Sequence, residues 1–376
     1  MNNARPTSAS IKPAYDIFLF IKNPTDYISV SKDDIRVSDV GRFRKDNPDD
    51  EIETWSHHSG EPIPESCRIG ELEEATIVDP VRLDMAMEDR EYSLMSTNKY
   101  FSAKFVLNWA EKEDFNLSNI TFCASRQQLK WMMMAAKTAH QPGARHPGAR
   151  LPCARQGTEC FLIYVFKGII FIESDPKLVD NGNEKNVCWW GKKYSDMMRS
   201  GGRGTPGFKG QDVQPRVTRV IDIGQHHILT ASKVDCQYPG AEHDVPENYI
   251  ELKTNLELKD KFSKDKFAGY KSREVWAHCT LGNVNTVYFG FRTWDGLLTS
   301  VVKYTADELE MIGAKFWRPT EMLSFLGHLL SWVRDNVEEG ESYTLMFDGD
   351  TISLSEKDHP MFVSVIQENY PGTVQG

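Results

Sequence analysis

The sequence lacks any apolar run near the length of about 20 residues that a membrane-spanning helix needs. Residues 1–13 are polar and contain no apolar segment of the kind that a secretory signal requires. The stretch Ile17–Ile21 is apolar but too short for either purpose, and it predicts a buried strand. We therefore expect a protein that is neither inserted in a membrane nor secreted.

Paired cysteines are also missing. The seven cysteines are scattered, their number is odd, and no C-x-x-C pair exists. This pattern argues against a disulfide framework and against a structural zinc site. The pair His226-His227 has no further His or Cys at ligand spacing, so we expect no zinc. A reducing compartment, the nucleus or the cytoplasm or both, is the expected location.

An excess of positive charge is absent as well. Lys and Arg number 44 against 54 for Asp and Glu, giving a net charge of −10. Proteins that coat nucleic acid along their whole surface are usually basic, so the acidic balance disfavours that class. Any contact with nucleic acid must therefore be made by a local basic cleft.

Hydrophobic residues make up 40% of the chain, which predicts a packed core. Residues 1–12 indicate a flexible tail, and residues 13–376 a single domain with mobile loops at 44–66, 140–156 and 200–215. The second loop contains a five-residue repeat with Pro, Ala and Arg in each copy. We interpret it as a tolerated insertion, although arginines spaced in this way could contact phosphates.

Strand-like and helix-like segments alternate, with antiparallel hairpins among them. We therefore expect an α/β fold of mixed α+β type, with mixed β-sheets flanked by helices. The last long helix should follow Pro319 and end near Gly340. The other predicted elements are a hairpin at 161–172, a helix at 185–199, strands at 227–236 and 249–254, a helix at 263–281, and a hairpin formed by 284–292 and 297–304.

Three residues on the predicted strand pair 227–236 and 249–254 carry the chemistry. Alternation places Glu251 and Lys253 on one face of their strand, and pairing of the strands would bring Asp235 to that face. Two carboxylates can hold a divalent cation that activates water for phosphodiester cleavage, while the ammonium offsets developing negative charge. On this motif alone, a surface cross-strand ion pair is the commoner arrangement. A second Glu-x-Lys, Glu257-Leu258-Lys259, indicates a solvated turn.

The residues around this motif decide between the two interpretations. Tyr249–Thr254 resembles the signature strand Tyr-Val-Glu-Leu-Lys-Thr of the DXO family of RNA 5′-end decapping exonucleases, also called Dom-3-like, and the chain resembles a divergent member of it. Further segments resemble family motifs in the same order, best between about 185 and 335. They are Trp190–Ser195, Lys233–Cys236, Val275–His278, Gly290–Arg292 with Asp295-Gly296, and Trp317–Pro319.

The resemblance implies a fold with an Asp…Glu-x-Lys nuclease core and a site that uses Mg²⁺ or Mn²⁺. It places the metal ligands at Asp235, Glu251 and the Leu252 carbonyl, and it gives Asp235, Glu251 and Lys253 catalytic roles. The implied contacts to substrate are Arg126, His278 and Arg292. Two of the four positions that are acidic in the family are Ser195 and Lys233 here, so metal binding should be lost, weak or limited to one site.

Three functional hypotheses remain open. The first is a degenerate nuclease that binds RNA 5′ ends or a partner protein, with lost or weak hydrolysis. The second is an active metal-dependent decapping or pyrophosphate hydrolase with 5′→3′ exoribonuclease activity. The third is a scaffold that docks a protein such as an exonuclease without contacting RNA.

Overall fold

The computed structural model describes residues 15–16, 30–44, 53–56, 69, 71–72, 81–83, 102–135, 158–174, 185–199, 216–242, 245–348 and 351–372. The expected tail, the expected strand at 17–21 and the expected loops at 140–156 and 200–215 lie outside these residues. The division into one domain therefore stays a prediction.

Strands form two sheets in the described part of the chain. In chain order they are β1 (Tyr15–Asp16), β2 (Ile35–Arg44), β3 (Glu53–Ser56), β4 (Val81–Arg82), β5 (Phe122–Ala124), β6 (Thr158–Phe166), β7 (Ile169–Ser174), β8 (Arg216–Ile223), β9 (His226–Lys233), β10 (Cys236–Gln237), β11 (Tyr249–Leu256), β12 (Thr286–Arg292), β13 (Leu297–Thr305), β14 (Ser342–Asp348) and β15 (Thr351–Glu356). The large sheet has the order β1-β15-β14-β6-β7-β5-β9-β8-β2-β3. The small sheet has the order β10-β11-β12-β13-β4, with β11 and β12 parallel.

Helices flank both sheets. They are α1 (Ser102–Lys112), α2 (Arg126–Ala135), α3 (Lys185–Met197), α4 (Lys261–Lys266), α5 (Ser272–Leu281), α6 (Ala306–Gly313), α7 (Pro319–Asp335) and α8 (Pro360–Asn369). A π-helical turn, Phe267–Lys271, joins α4 to α5 in one continuous helix. The expected class, mixed sheets flanked by helices, is confirmed. None of the helices in the described ranges has the length and apolarity needed to cross a membrane.

The predicted local elements mostly occur where the sequence placed them. The hairpin β6–β7 turns at Lys167-Gly168, where both residues have positive φ. The cap of α6 is a box of Thr305 and Glu308, in which each side chain accepts a hydrogen bond from the other residue's backbone N–H. The apolar face of α7 is buried, as its spacing predicts.

Three expectations about the fold are wrong. The range 44–66 contains strand β3, because Thr54 and Trp55 continue the large sheet beside β2. Helix α7 ends at Asp335, where the Asn336 amide bonds the Trp332 carbonyl, and Gly340 belongs to a later turn.

The third concerns the strand expected at 227–236. It is broken after Lys233, so that β9 belongs to the large sheet and β10 to the small one.

Buried polar residues join the two sheets at this break. The Tyr249 hydroxyl at the start of β11 donates to Asp39 at 2.9 Å and accepts from Arg42 at 2.8 Å. Arg219 on β8 donates to the other Asp39 oxygen at 2.8 Å. Buried hydrogen bonds to charged groups stabilise by about 1.5–3 kcal/mol each. The joint therefore holds the start of β11 against β2 and β8.

His226 is a buried titratable group outside this joint. Its Nε2 lies 2.8 Å from the Ser331 hydroxyl on α7, and its ring meets Phe122 edge-on. Burial lowers the pKa of His226 to about 4, with a smaller contribution from Arg334. The imidazole therefore stays neutral in the folded protein at pH values where it is charged in the unfolded chain.

We expect acidification to weaken the fold through His226. Because its folded pKa is below the unfolded value, the unfolded chain binds the extra proton, and stability present above about pH 6.5 is lost towards pH 4. One proton contributes up to about 1.4 kcal/mol per pH unit. Denaturant titrations between pH 4 and 7 should show a smaller pH dependence for His226→Gln than for the natural protein. His227, the exposed neighbour, is the control. An equally reduced pH dependence of stability in His227→Gln would contradict the role of His226.

Candidate active site

Two carboxylates converge on one ammonium group where the sheets meet. Lys253 Nζ contacts Glu251 Oε1 and lies 4.0 Å from Asp235 Oδ2. The same Asp235 oxygen accepts a hydrogen bond from the Leu252 N–H at 2.9 Å, which holds Asp235 against β11. The expected convergence of Asp235 and Glu251 is therefore observed, and the group between them is the ammonium of Lys253.

Glu251 forms the floor of this cluster. Its side chain is only 2% exposed, and three other groups surround its oxygens. Besides Lys253, Arg126 donates to Oε2 at 3.3 Å and His278 Nδ1 lies 3.2 Å from Oε1. A buried carboxylate is stable only when it is paired in this way.

Two lysines form the rim of the cluster. Lys233 Nζ lies 3.9 Å from Asp235 Oδ1, which places this ammonium in the pocket as its position two residues before Asp235 predicts. The Lys233 and Lys253 side chains are 28% and 23% exposed, against 6% for Arg126. The cationic groups therefore face solvent while the most buried anion lies beneath them.

The environment sets the charge of each group. Burial raises the pKa of Asp235 and Glu251 raises it further, while the lysines oppose the shift. Burial would also raise the pKa of Glu251, but Lys253, His278 and Arg126 outweigh it and hold that pKa well below its usual range. Burial and Arg126 keep the pKa of His278 well below 6.5, so its ring is neutral. Counted with both carboxylates as anions, the formal charge of the cluster with Lys233, Lys253 and Arg126 is +1.

Helices α2 and α5 carry the residues that complete the cluster. Arg126 and Lys130 are four residues apart on α2, and Glu274 and His278 are four apart on α5, so each pair lies on one helix face. Lys130 Nζ lies 3.0 Å from Glu274 Oε1, and Lys271 lies 2.9 Å from Glu274 Oε2. This second ion pair was not predicted, although the two i, i+4 spacings are visible in the sequence.

Arg292 does not join Arg126 and Lys253, contrary to expectation. Lys253 is in register with Phe289 on β12, three residues before Arg292, so alternation puts Arg292 on the opposite face of the small sheet. There its guanidinium stacks 4.2 Å from the Trp190 ring of α3 and donates to the Thr293 carbonyl. Arg292 therefore lies on the face of the small sheet opposite to Lys253.

Ser195 lies near the C-terminal end of α3. Its hydroxyl is buried and finds no hydrogen-bond partner among the described residues. Asp196 beside it turns away and pairs with Arg199 at 2.5 Å. The neighbouring carboxylate thus does not replace the acid that the resemblance implies at Ser195.

Of the ligands that the resemblance implies, Asp235, Glu251 and the Leu252 carbonyl, the two carboxylates meet at the Lys253 ammonium. Within the ranges that the structure describes, no three His, Cys, Asp or Glu side chains are arranged to bind a metal. The Glu257–Lys259 pair, 2.6 Å long, lies on the surface with Lys259 74% exposed, which is the solvated turn that the sequence predicts. The two Glu-x-Lys triplets of the chain thus differ in burial: Glu251 is buried in the cluster, whereas Lys259 is exposed to solvent.

Comparison with known proteins assigns the fold to a family. The model of the RAI1-like PD-(D/E)XK nucleases matches residues 150–371, which is more than half of the chain. The chain belongs to this family. The resemblance to DXO proteins and the nuclease core implied by it are thereby confirmed.

Curated relatives are similar over part of the chain. A decapping and exoribonuclease protein of Homo sapiens is 29% identical over 123 residues, or 32% of this chain and 31% of that protein. The decapping nuclease RAI1 of Lachancea thermotolerans is 23% identical over 234 residues, or 57% and 55% of the two chains. The similar region thus spans between about a third and about half of these relatives.

Solved structures share the architecture over nearly the whole chain. S. pombe Rai1 superimposes with a TM-score of 0.65 and 16% identity, covering 92% of this chain and 99% of that one. Candida albicans Rai1, in a complex with pU5-Mn²⁺, has a TM-score of 0.62 and 15% identity, with 92% and 97% coverage. At this identity the likeness shows the fold of the nuclease family.

Gly282, directly after α5, makes room for Arg126. A Cβ at Gly282 would lie 2.3 Å from Arg126 Nη1 and 3.0 Å from the His278 carbonyl, so any side chain must displace the guanidinium from Glu251. We expect Gly282→Ala to lower the free energy of unfolding by about 1–3 kcal/mol in denaturant titrations. Gly191→Ala is the control, because its Cβ meets only Thr254 at 3.9 Å and should be neutral or stabilising. Equal stability of the two variants would contradict the packing described.

Proposed function

We propose that this RAI1-like nuclease fold binds RNA 5′ ends through the ion-pair cluster of Lys233, Asp235, Glu251, Lys253 and Arg126, with lost or weak hydrolysis. The observation that carries the proposal is the Lys253 ammonium between the two carboxylates that would hold metal. A phosphate that approaches the cluster would contact the partly exposed ammonium groups of Lys233 and Lys253, which attract its negative charge.

The residues present do not fit a two-ion centre. Divalent Mg²⁺ and Mn²⁺ prefer several oxygen ligands with negative charge, and this cluster offers two carboxylates beside three cations. A unit positive charge about 4 Å from a divalent ion is repelled by up to about 8 kcal/mol at an effective dielectric constant of about 20. Solvent at the rim and movement of the lysines reduce that figure. We therefore assign RNA binding to the cationic rim itself and route no hydrolytic step through a metal.

Family membership also supports a role on RNA. Rai1 of Candida albicans was solved with pU5 and Mn²⁺, and Rai1 of Scheffersomyces stipitis with a dinucleotide and calcium, so neighbours of this fold bind nucleotides and divalent ions. The alternative for this chain is an active metal-dependent decapping hydrolase, with Asp235, Glu251 and the Leu252 carbonyl around a single Mg²⁺ or Mn²⁺. It is favoured by the convergence of the two carboxylates on one point.

Removing one carboxylate separates these two functions. Asp235→Asn keeps an oxygen that accepts the Leu252 N–H and raises the cluster charge from +1 to +2. We expect affinity for 5′-phosphorylated RNA in the presence of a chelator to rise roughly five-fold, or about 1 kcal/mol, measured by fluorescence anisotropy. The surface variant Asp307→Asn is the charge-matched control. The active hydrolase would be supported instead if Asp235→Asn lost RNA binding and if added metal restored RNA binding in the natural protein but not in this variant.

Restoring the missing acids should restore metal chemistry. Ser195→Glu with Lys233→Glu removes the cation beside Asp235 and supplies carboxylates at the two positions that are acidic in the family but not in this chain. We expect Mn²⁺ affinity, measured by calorimetry, and hydrolysis of 5′-triphosphorylated and unmethylated-capped RNA to rise at least ten-fold, about 1.4 kcal/mol in each. The control is Ser355→Glu with Lys357→Glu, which makes the same charge change at the end of β15, outside the cluster. No gain, or natural activity equal to that of an intact relative, would contradict the proposal.

A further inference from the structure

A basic surface segment of the described chain lies outside the cluster. Residues 259–271 contain five lysines and two aspartates, a net charge of +3 on a chain whose net charge is −10. Lys259, Lys261, Lys264 and Lys266 are exposed, while Lys271 is half-buried against Glu274. Asp260 is committed to capping α4, because its carboxylate accepts the Ser263 N–H at 2.7 Å.

An exposed aromatic ring stands among these lysines. Phe262 on α4 is 71% exposed, while Phe267 on the following turn is buried against Phe289 and Phe291 of the small sheet. Phe267 thus anchors the helix and Phe262 is left on its outer side. Exposed aromatic rings interleaved with lysines are the arrangement on which single-stranded nucleic acids stack their bases and pair their phosphates.

The same helix connects this segment to the cluster. Phe262 and His278 are 16 residues apart on the continuous helix formed by α4, the π-turn and α5, a distance of about 24 Å along its axis. Between them, Lys271 pairs with Glu274, and Glu274 pairs with Lys130. Lys130 is buried, so within this chain of ion pairs it is Lys271 that lies nearest to the exposed lysines of the segment.

A cleft of about 290 Å³ adjoins the Lys259 end of the segment. Its lining combines the rings of Phe291 and Tyr304 with the hydroxyl groups of Thr299 and Ser300. The ion pair of Glu257 with Lys259, and Leu258 between them, form the rest of the lining. Rings and hydroxyls together suit a nucleobase and its sugar better than they suit an acyl chain.

We propose that residues 259–271 bind the single-stranded RNA that follows the 5′ end, with Phe262 stacking on a base and the exposed lysines contacting phosphates. This inference rests on the proposed function, because it takes the 5′ end to lie at the cluster. RNA is the ligand that fits this segment, because its lysines and exposed ring lie on the same continuous helix as His278 of the cluster. A short basic helix with one aromatic residue can also lie on an anionic membrane, and the test distinguishes the two.

The experiment compares RNA length. Binding of a 5′-phosphorylated dinucleotide and of a 5′-phosphorylated RNA of about ten nucleotides is measured for the full chain at several salt concentrations. We expect Phe262→Ala to weaken the long RNA at least five-fold and leave the dinucleotide unchanged. Lys261→Gln with Lys264→Gln should make the salt slope of the long RNA shallower by about 1.4, since each phosphate contact in a single strand contributes about 0.7. Met361→Ala and Lys357→Gln, exposed residues elsewhere, are the matched controls.

Each outcome decides between the proposals. Equal effects of the segment and control variants on the long RNA would overturn the inference, while dinucleotide binding would still uphold the proposed function. Failure of the dinucleotide to bind, with length-dependent binding that needs Phe262, would uphold the segment as an RNA surface and overturn the role of the cluster. Binding of the natural protein to phosphatidylserine vesicles that is lost in Phe262→Ala, without an effect on RNA, would overturn the inference in favour of a membrane.

Discussion

The architecture of the site depends on one buried carboxylate. Glu251 is almost inaccessible to solvent, and a charge in that position must be paired or it destabilises the fold by several kcal/mol. Three elements supply its partners: β11 brings Lys253, α2 brings Arg126 and α5 brings His278. Gly282 leaves the space through which the guanidinium passes. The positions of both helices relative to β11 are thus tied to the charge of this residue.

The same requirement explains why the departures from the family pattern are compatible with a stable protein. In a metal centre the ions would neutralise the carboxylates, whereas in this structure the ammonium groups of Lys253 and Lys233 lie beside them. Lys233 adds a third positive charge beside Asp235, and Ser195 leaves an uncharged position in α3. The loss of two acids and the gain of a lysine therefore both shift the site towards positive charge. The result is a cluster with a cationic rim, suited to an anionic ligand.

Much of this arrangement could be predicted from the sequence. Alternation placed Glu251 and Lys253 on one face, and the spacing of Lys233 and Asp235 brought both into the pocket. The strand break after Lys233 could not be predicted, because a run of β-favouring residues does not reveal which of two sheets each half joins. Arg292 was misplaced because the register of β12 against β11, which sets its face, depends on parallel pairing between distant segments. The Lys130–Glu274 pair needed the packing of α2 on α5, which no local pattern contains.

The central claim is that protein cations, and not divalent ions, neutralise Asp235 and Glu251. Anomalous diffraction from crystals of the natural protein soaked in Mn²⁺ tests it most directly. We expect no anomalous peak between the two carboxylates, with the Lys253 ammonium in contact with Glu251. A strong Mn²⁺ peak there, ligated by Asp235, Glu251 and the Leu252 carbonyl with Lys253 and Lys233 turned out to solvent, would contradict it.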